Sequence, residues 1–148
     1  MKAFTLLACL ASPALAQSVW TVDDNDPTAD FSEIQPAIDA AADGDLVLVL
    51  PGSYTTCSIN KPLTLQGSGR VTLTGNILGT QPALRVQSIS AGERAVVRGI
   101  DVATFQLEPS EGLVISNCQG AVLLEDCDIS ATSGSGGETD GGLVLVHP

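Results

Sequence analysis

The 148-residue sequence predicts an all-β fold, a right-handed parallel β-helix (solenoid) of about three to four coils with an N-terminal capping α-helix. Three observations carry that reading. Apolar residues make up 44 % of the chain but aromatic ones only 3 %, so the core is expected to be thin layers of Leu, Val, Ile and Ala. Beyond residue 44 the sequence breaks into short β-like runs bounded by Gly, Asn, Pro and Ser, shorter than the strands of sandwiches or barrels. Those runs also return in a fixed order. Leu84/Val86 recurs as Leu113/Ile115 after 29 residues and as Leu143/Leu145 after 30 more, while Ala95/Val97 recurs as Val122/Leu124 and Ile100/Val102 as Cys127/Ile129, both at 27. A period of this length, with three strands per repeat and no intervening helix, suits coils stacked about 4.8 Å apart.

Residues 1–16 read as a signal peptide. Met1-Lys2 gives a minimal basic start, Ala3 to Leu10 an apolar run, and Ala14-Leu15-Ala16 a small-x-small cleavage pattern after Pro13. The run is too short to span a bilayer, which takes about 20 apolar residues. A lipid anchor on Cys9 would leave almost no apolar stretch ahead of it. The expectation is a secreted protein, extracellular or periplasmic, with no membrane insertion and one domain over residues 17–148. Within it, residues 30–44 form the helical cap and 45–148 the coils. Phe31, Ile34, Ile38 and Ala41 share one helical face, Ser32 with Gln35 has the capping-box spacing, Pro36 is tolerable in a first turn, and Asp43-Gly44 stops the helix. The strands expected after it are 46–50, 63–65, 71–73, 84–86, 95–97, 100–102, 113–115, 122–124, 127–129 and 143–146.

The stretch from Phe31 to Tyr54, with Leu46-Val47-Leu48-Val49-Leu50 and Pro51-Gly52-Ser53-Tyr54, continues to Leu63-Thr64-Leu65-Gln66-Gly67. It resembles the opening of pectin-lyase-like right-handed β-helix proteins. Glu111 to Cys118 and Leu123 to Ile129 resemble their later coils more loosely. The resemblance implies the fold, with the helix plugging the N-terminal end of the stack, and does not imply an activity. The paired aspartates with Gln, Arg or Lys partners of the superfamily's esterases, lyases and hydrolases lie beyond this region. Their motifs do not occur here. The last run, 143–146, begins a new coil and the chain stops at His147-Pro148. The expectations are therefore further coils or end-to-end self-association through the uncapped C-terminal coil.

Seventeen acidic residues against six basic ones give a net charge of −11, which excludes a nucleic-acid grip and repels anionic membranes. Three cysteines follow the leader, and Cys57, Cys118 and Cys127 cannot all pair within one chain. Cys118 with Cys127 is the plausible local pair, but buried thiols acting as small hydrophobes is the simpler reading. With no Cys-x-x-Cys and a single His, zinc and redox motifs are absent.

Alternation along the strands puts Asp101 and Asp128 outward at equivalent places on adjacent coils. Like charges about 5 Å apart repel unless a cation or a shared proton relieves them, so a calcium site is the metal expectation, weighed against plain solvated carboxylates and a catalytic acid pair. The same register sets Arg98 over Glu125. Asp23-Asp24-Asn25-Asp26 with Asp30 lacks the Gly and terminal Glu of a calcium loop and reads as a solvated turn. Gly134 to Gly142 lacks the Lys-Ser/Thr of a phosphate loop and reads as a loop leaving the stack. Arg70, Arg85, Arg94 and Arg98 are too scattered to define a basic cleft. No catalytic constellation is visible and no other cofactor is expected. The functional expectation is a secreted structural or surface module that contacts polysaccharide or cell-surface glycan. The alternative is the N-terminal part of a polysaccharide-active enzyme.

Overall fold

The structure, a computed structural model, describes residues 17–75, 81–106, 112–133 and 143–146. The proposed leader, the Gly134–Gly142 segment and His147-Pro148 lie outside these residues. The described chain is mostly β, with parallel sheets and one short helix. Its strands are β1 (Val19–Val22), β2 (Leu46–Val49), β3 (Gly52–Tyr54), β4 (Cys57–Ile59), β5 (Thr64–Gly67), β6 (Val71–Thr74) and β7 (Leu84–Gln87). They continue with β8 (Arg94–Arg98), β9 (Asp101–Gln106), β10 (Leu113–Ser116), β11 (Ala121–Glu125), β12 (Ile129–Ser133) and β13 (Leu143–Val146). The helix α1 spans Ile34–Ala40.

The strands form three parallel sheets, ordered β1-β2-β5-β8-β11, β3-β6-β9-β12 and β4-β7-β10-β13. From β2 onward, consecutive strands therefore visit the first, second and third sheet in unbroken rotation. β2 pairs with β1, and from β5 onward each strand hydrogen-bonds to the one three strands earlier rather than to its neighbour in the chain. The recurrences seen in the sequence are strand partners: Leu84↔Leu113↔Leu143, Ala95↔Val122, Val97↔Leu124 and Val102↔Ile129.

That register stacks like on like. One column runs Trp20, Val47, Leu65, Val97, Leu124 across the first sheet. Another runs Tyr54, Leu73, Val102, Ile129, and a third Cys57, Leu84, Leu113. Val47, Leu65, Val97, Tyr54, Leu73 and Leu113 are fully buried in one shared core cluster. Burying each such side chain stabilises the fold by about 1.5–3 kcal/mol, which makes the columns the dominant favourable contribution. Toward the β11 and β12 edge the same columns end in half-buried Leu124 and Ile129, because no strand lies beyond them among the described residues.

The corners repeat as well. Ser88 and Asn117 leave the third sheet with φ of 60° and 53°, and Gly99 and Asp126 leave the first with 63° and 53°. Each left-handed residue is followed by a core-facing side chain: Ile89, Cys118, Ile100 and Cys127. A positive φ is costly for most residues but tolerated by Gly, Asn and Asp, which accounts for three of these four positions.

Several expectations need correction. The helix is seven residues rather than fifteen. Phe31 is not helical; its amide donates to Thr21 O (3.0 Å), its carbonyl accepts from the Asp23 amide (3.0 Å), and it forms an isolated bridge with Val22. The N-cap is Glu33, with extended backbone and no side-chain capping bond, so the Ser32/Gln35 capping box does not form. Gln35 instead reaches β4, accepting from the Ser58 amide at 2.7 Å. Ala41 is extended, though it stays buried. Strands β1, β3 and β4 were not expected. Cys127 and Asp128 precede β12 rather than opening it. The spacing is also less regular than 27–30: Leu46 meets Thr64 after 18 residues, and Thr64 meets Val96 after 32.

Candidate functional site

Asp101 opens β9 and is half-buried, while Asp128 is exposed just before β12. The Val102 amide donates to Asp128 O at 2.7 Å, extending the β9–β12 ladder by one residue and setting Asp128 level with Asp101. Two carboxylates fall short of the six to eight oxygens calcium takes. Among the described residues no group of three or more His, Cys, Asp or Glu converges.

The neighbouring outward row holds Arg98 and Glu125. Arg98 Nε donates to Glu125 Oε2 at 2.7 Å, with both side chains substantially exposed. The acidic turn is satisfied internally: Asp23 Oδ1 accepts from the Asn25 amide, and Asp26 Oδ1 from the amide and hydroxyl of Thr28. The two Thr28 donors hold the Asp26 carboxyl below its usual range.

A half-open cavity of about 190 Å³ lies on the outer side of the third sheet, where Gln35 of α1, Thr56, Ser58 of β4, Gln81 and Arg85 of β7 surround Cys57. Sequence reasoning missed it, because its walls come from a helix and two strands far apart in the chain. Gln35 is already engaged, its Nε2 donating to Asp39 Oδ1 at 2.8 Å and its Oε1 accepting from Ser58. Ser58 and Arg85 are register partners, so the polar wall continues from one strand to the next. The cavity is smaller than the roughly 300–1,000 Å³ of drug-sized ligand sites. Burial pushes the Cys57 thiol up to about 12, so it is a packing group and not a nucleophile. All three described cysteines are free thiols, and the Cys118–Cys127 disulfide considered from the sequence is not formed. Cys118 donates to Ser116 O at 3.3 Å and Cys127 to Glu125 O at 3.3 Å.

At the N-terminal end, Asp45 is a buried carboxylate, only 5 % exposed. It accepts from the Ser18 amide (2.8 Å), Trp20 Nε1 (3.2 Å) and the Ala42 amide (2.8 Å). The Ala42 and Ser18 amides hold its carboxyl below the usual carboxylate range. It ties β1 to the turn that ends the helical segment, a structural role. No helix among the described residues is long and apolar enough to cross a membrane. Comparisons with protein-family models, curated proteins and solved structures found no match to this chain.

Proposed function

We propose that the chain is a secreted right-handed parallel β-helix module of the pectin-lyase-like type, with a structural role and a surface that contacts polysaccharide or cell-surface glycan. The carrying observation is the set of three aliphatic columns in register, fed by a chain that rotates through three parallel sheets. Such a stack is a stiff platform whose outward side chains repeat at strand spacing. Helix α1 supports the N-terminal plug, because Ile34, Ala37 and Ile38 bury against the first strands. Secretion rests on the leader-like residues 1–16, and self-association, where the columns are left half-covered, on the β11 edge. Glycan contact is best served by the cavity on the third sheet, whose Gln81, Thr56 and Arg85 supply donors for hydroxyl or carboxylate groups.

A glycan array probed with the purified chain and with Arg85→Ala tests the surface role. Binding to a polysaccharide class, weakened at least tenfold in the variant, is the expected result. Equal binding by both proteins would move the contact elsewhere, and absence of binding would leave a scaffold without a glycan surface.

A further inference from the structure

The β1 edge of the first sheet is closed by a small clasp. Leu46 and Leu50 donate to Ser18 O and Val22 O, so the even-numbered residues of β1 turn their backbone groups toward β2. Val19, Thr21 and Asp23 turn theirs the other way, to the edge where a further strand would add. Two of those three are taken. The Thr21 amide donates to Asp30 Oδ2 at 2.8 Å, the Thr21 hydroxyl donates to the same oxygen at 2.7 Å, and the Asp30 amide donates back to Thr21 Oγ1 at 3.1 Å. Thr21 O accepts from Phe31, and the Asp23 amide donates to Phe31 O. The Phe31 ring lies 5.8 Å from the Trp20 ring, holding the segment against the strand.

We infer that Asp30 and Phe31 act as an edge block: the Asp30 carboxylate occupies the place of a neighbouring strand's carbonyl and stops a second copy of this chain from adding to β1. Val19, 52 % exposed, is the one β1 position whose edge groups the clasp leaves open. The single position that the clasp leaves open is a shorter template for strand pairing than the three alternate positions 19, 21 and 23 would be together. Asp30 is also charged and exposed, and covering its carboxylate with a further strand that brings no cation would cost desolvation. The inference is independent of the glycan reading and concerns the opposite end from the half-covered β11 edge.

Sedimentation velocity across a concentration series tests it on four proteins: wild type, Asp30→Asn, Asp30→Ala and Asp30→Ala/Val19→Lys. Asp30→Ala removes the acceptor and is expected to form a larger, concentration-dependent species beyond whatever wild type shows. Asp30→Asn retains an acceptor oxygen and should sediment as wild type. Adding Val19→Lys places a charge on the opened edge and should restore the wild-type profile. A wild-type profile for Asp30→Ala, or association that Val19→Lys does not reverse, would overturn the inference. Amide hydrogen exchange on the unmodified protein gives a reading free of folding defects. The Thr21 amide should be protected to within about tenfold of the Trp20 amide, and solvent-like exchange at Thr21 would also overturn the edge block. Self-association of wild type through β11 leaves these comparisons intact, because each is made relative to wild type.

Discussion

Arg98 and Glu125 sit face to face on adjacent strands, 27 residues apart in the chain, with Nε to Oε2 at 2.7 Å. The contact reports the register directly, because a slip of one residue would send one of the two side chains to the core face. Its energy is small. With side-chain exposures of 49 % and 38 %, solvent screening limits the pair to about 0–1 kcal/mol. A double-mutant cycle of Arg98→Ala and Glu125→Ala in urea should return a coupling in that range that shrinks with added salt. A salt-independent coupling above about 2 kcal/mol would mean a desolvated pair.

The columns carry far more. Leu65 is fully buried between Val47 and Val97, whereas Leu124, in the same column, is half-buried. Leu65→Ala should cost about 2–5 kcal/mol in urea unfolding, and Leu124→Ala roughly half as much, because the cavity at the edge is open to water. Equal losses at the two positions would mean that the column is covered at both.

Glycines at the corners differ sharply in what they tolerate. A Cβ on Gly67 would stand 2.2 Å from the carbonyl oxygen of Gly99, a backbone clash between two circuits of the chain. Gly67→Ala should cost more than about 4 kcal/mol or prevent folding. Gly44, at φ +86° with open space around it, should lose only about 1–2 kcal/mol on the same change. Thermal melts of the two variants, read by far-ultraviolet circular dichroism, check the contrast.

Acid should loosen the N-terminal end first. The Ala42 and Ser18 amides lower the folded-state pKa of Asp45 from the ordinary 3.8, so its stabilisation is fully present above that value. It is lost as pH falls through the lower folded-state value. Asp26 and Asp30 are lowered in the same direction by Thr28 and Thr21, and their contributions vanish in the same window. Trp20 is the sole tryptophan and donates to Asp45, so its emission reports this region. Asp45→Asn should lower the urea midpoint at neutral pH, and the gap to wild type should close progressively as pH falls from 3.8 through the lower folded-state value, because the protonated carboxyl has lost the same acceptor. A constant gap across that range would remove Asp45 from the acid transition.

Much of the stacking was legible in the sequence because identical spacing had to survive at several positions at once. Leu84, Leu113 and Leu143 align only if the strands between them do, and Arg98 over Glu125 followed from the same register. Short circuits hid what they contained. β3 and β4 are three residues each, and the 18-residue step from Leu46 to Thr64 shares no period with the later ones. The helix was overextended because Phe31 continues an apolar helical face, yet its backbone is committed to β1, ten residues earlier. Asp45, next to the Asp43-Gly44 stop, carried no role in the sequence reading. Its bonds to Ser18 and Trp20 span more than twenty residues, a distance at which local pattern carries no information. Asp101 and Asp128 do align, one opening β9 and the other immediately before β12, but alignment of two carboxylates does not by itself define a ligand.

Nuclear magnetic resonance contacts between strand backbones test the three-sheet stack most directly. Cross-strand NOEs should link Leu65 to Val97 and Val97 to Leu124 in parallel fashion, with no close link between Leu65 and Leu124, which are two strand spacings apart. Close Hα–Hα contacts typical of antiparallel neighbours, or a direct Leu65–Leu124 contact, would contradict it.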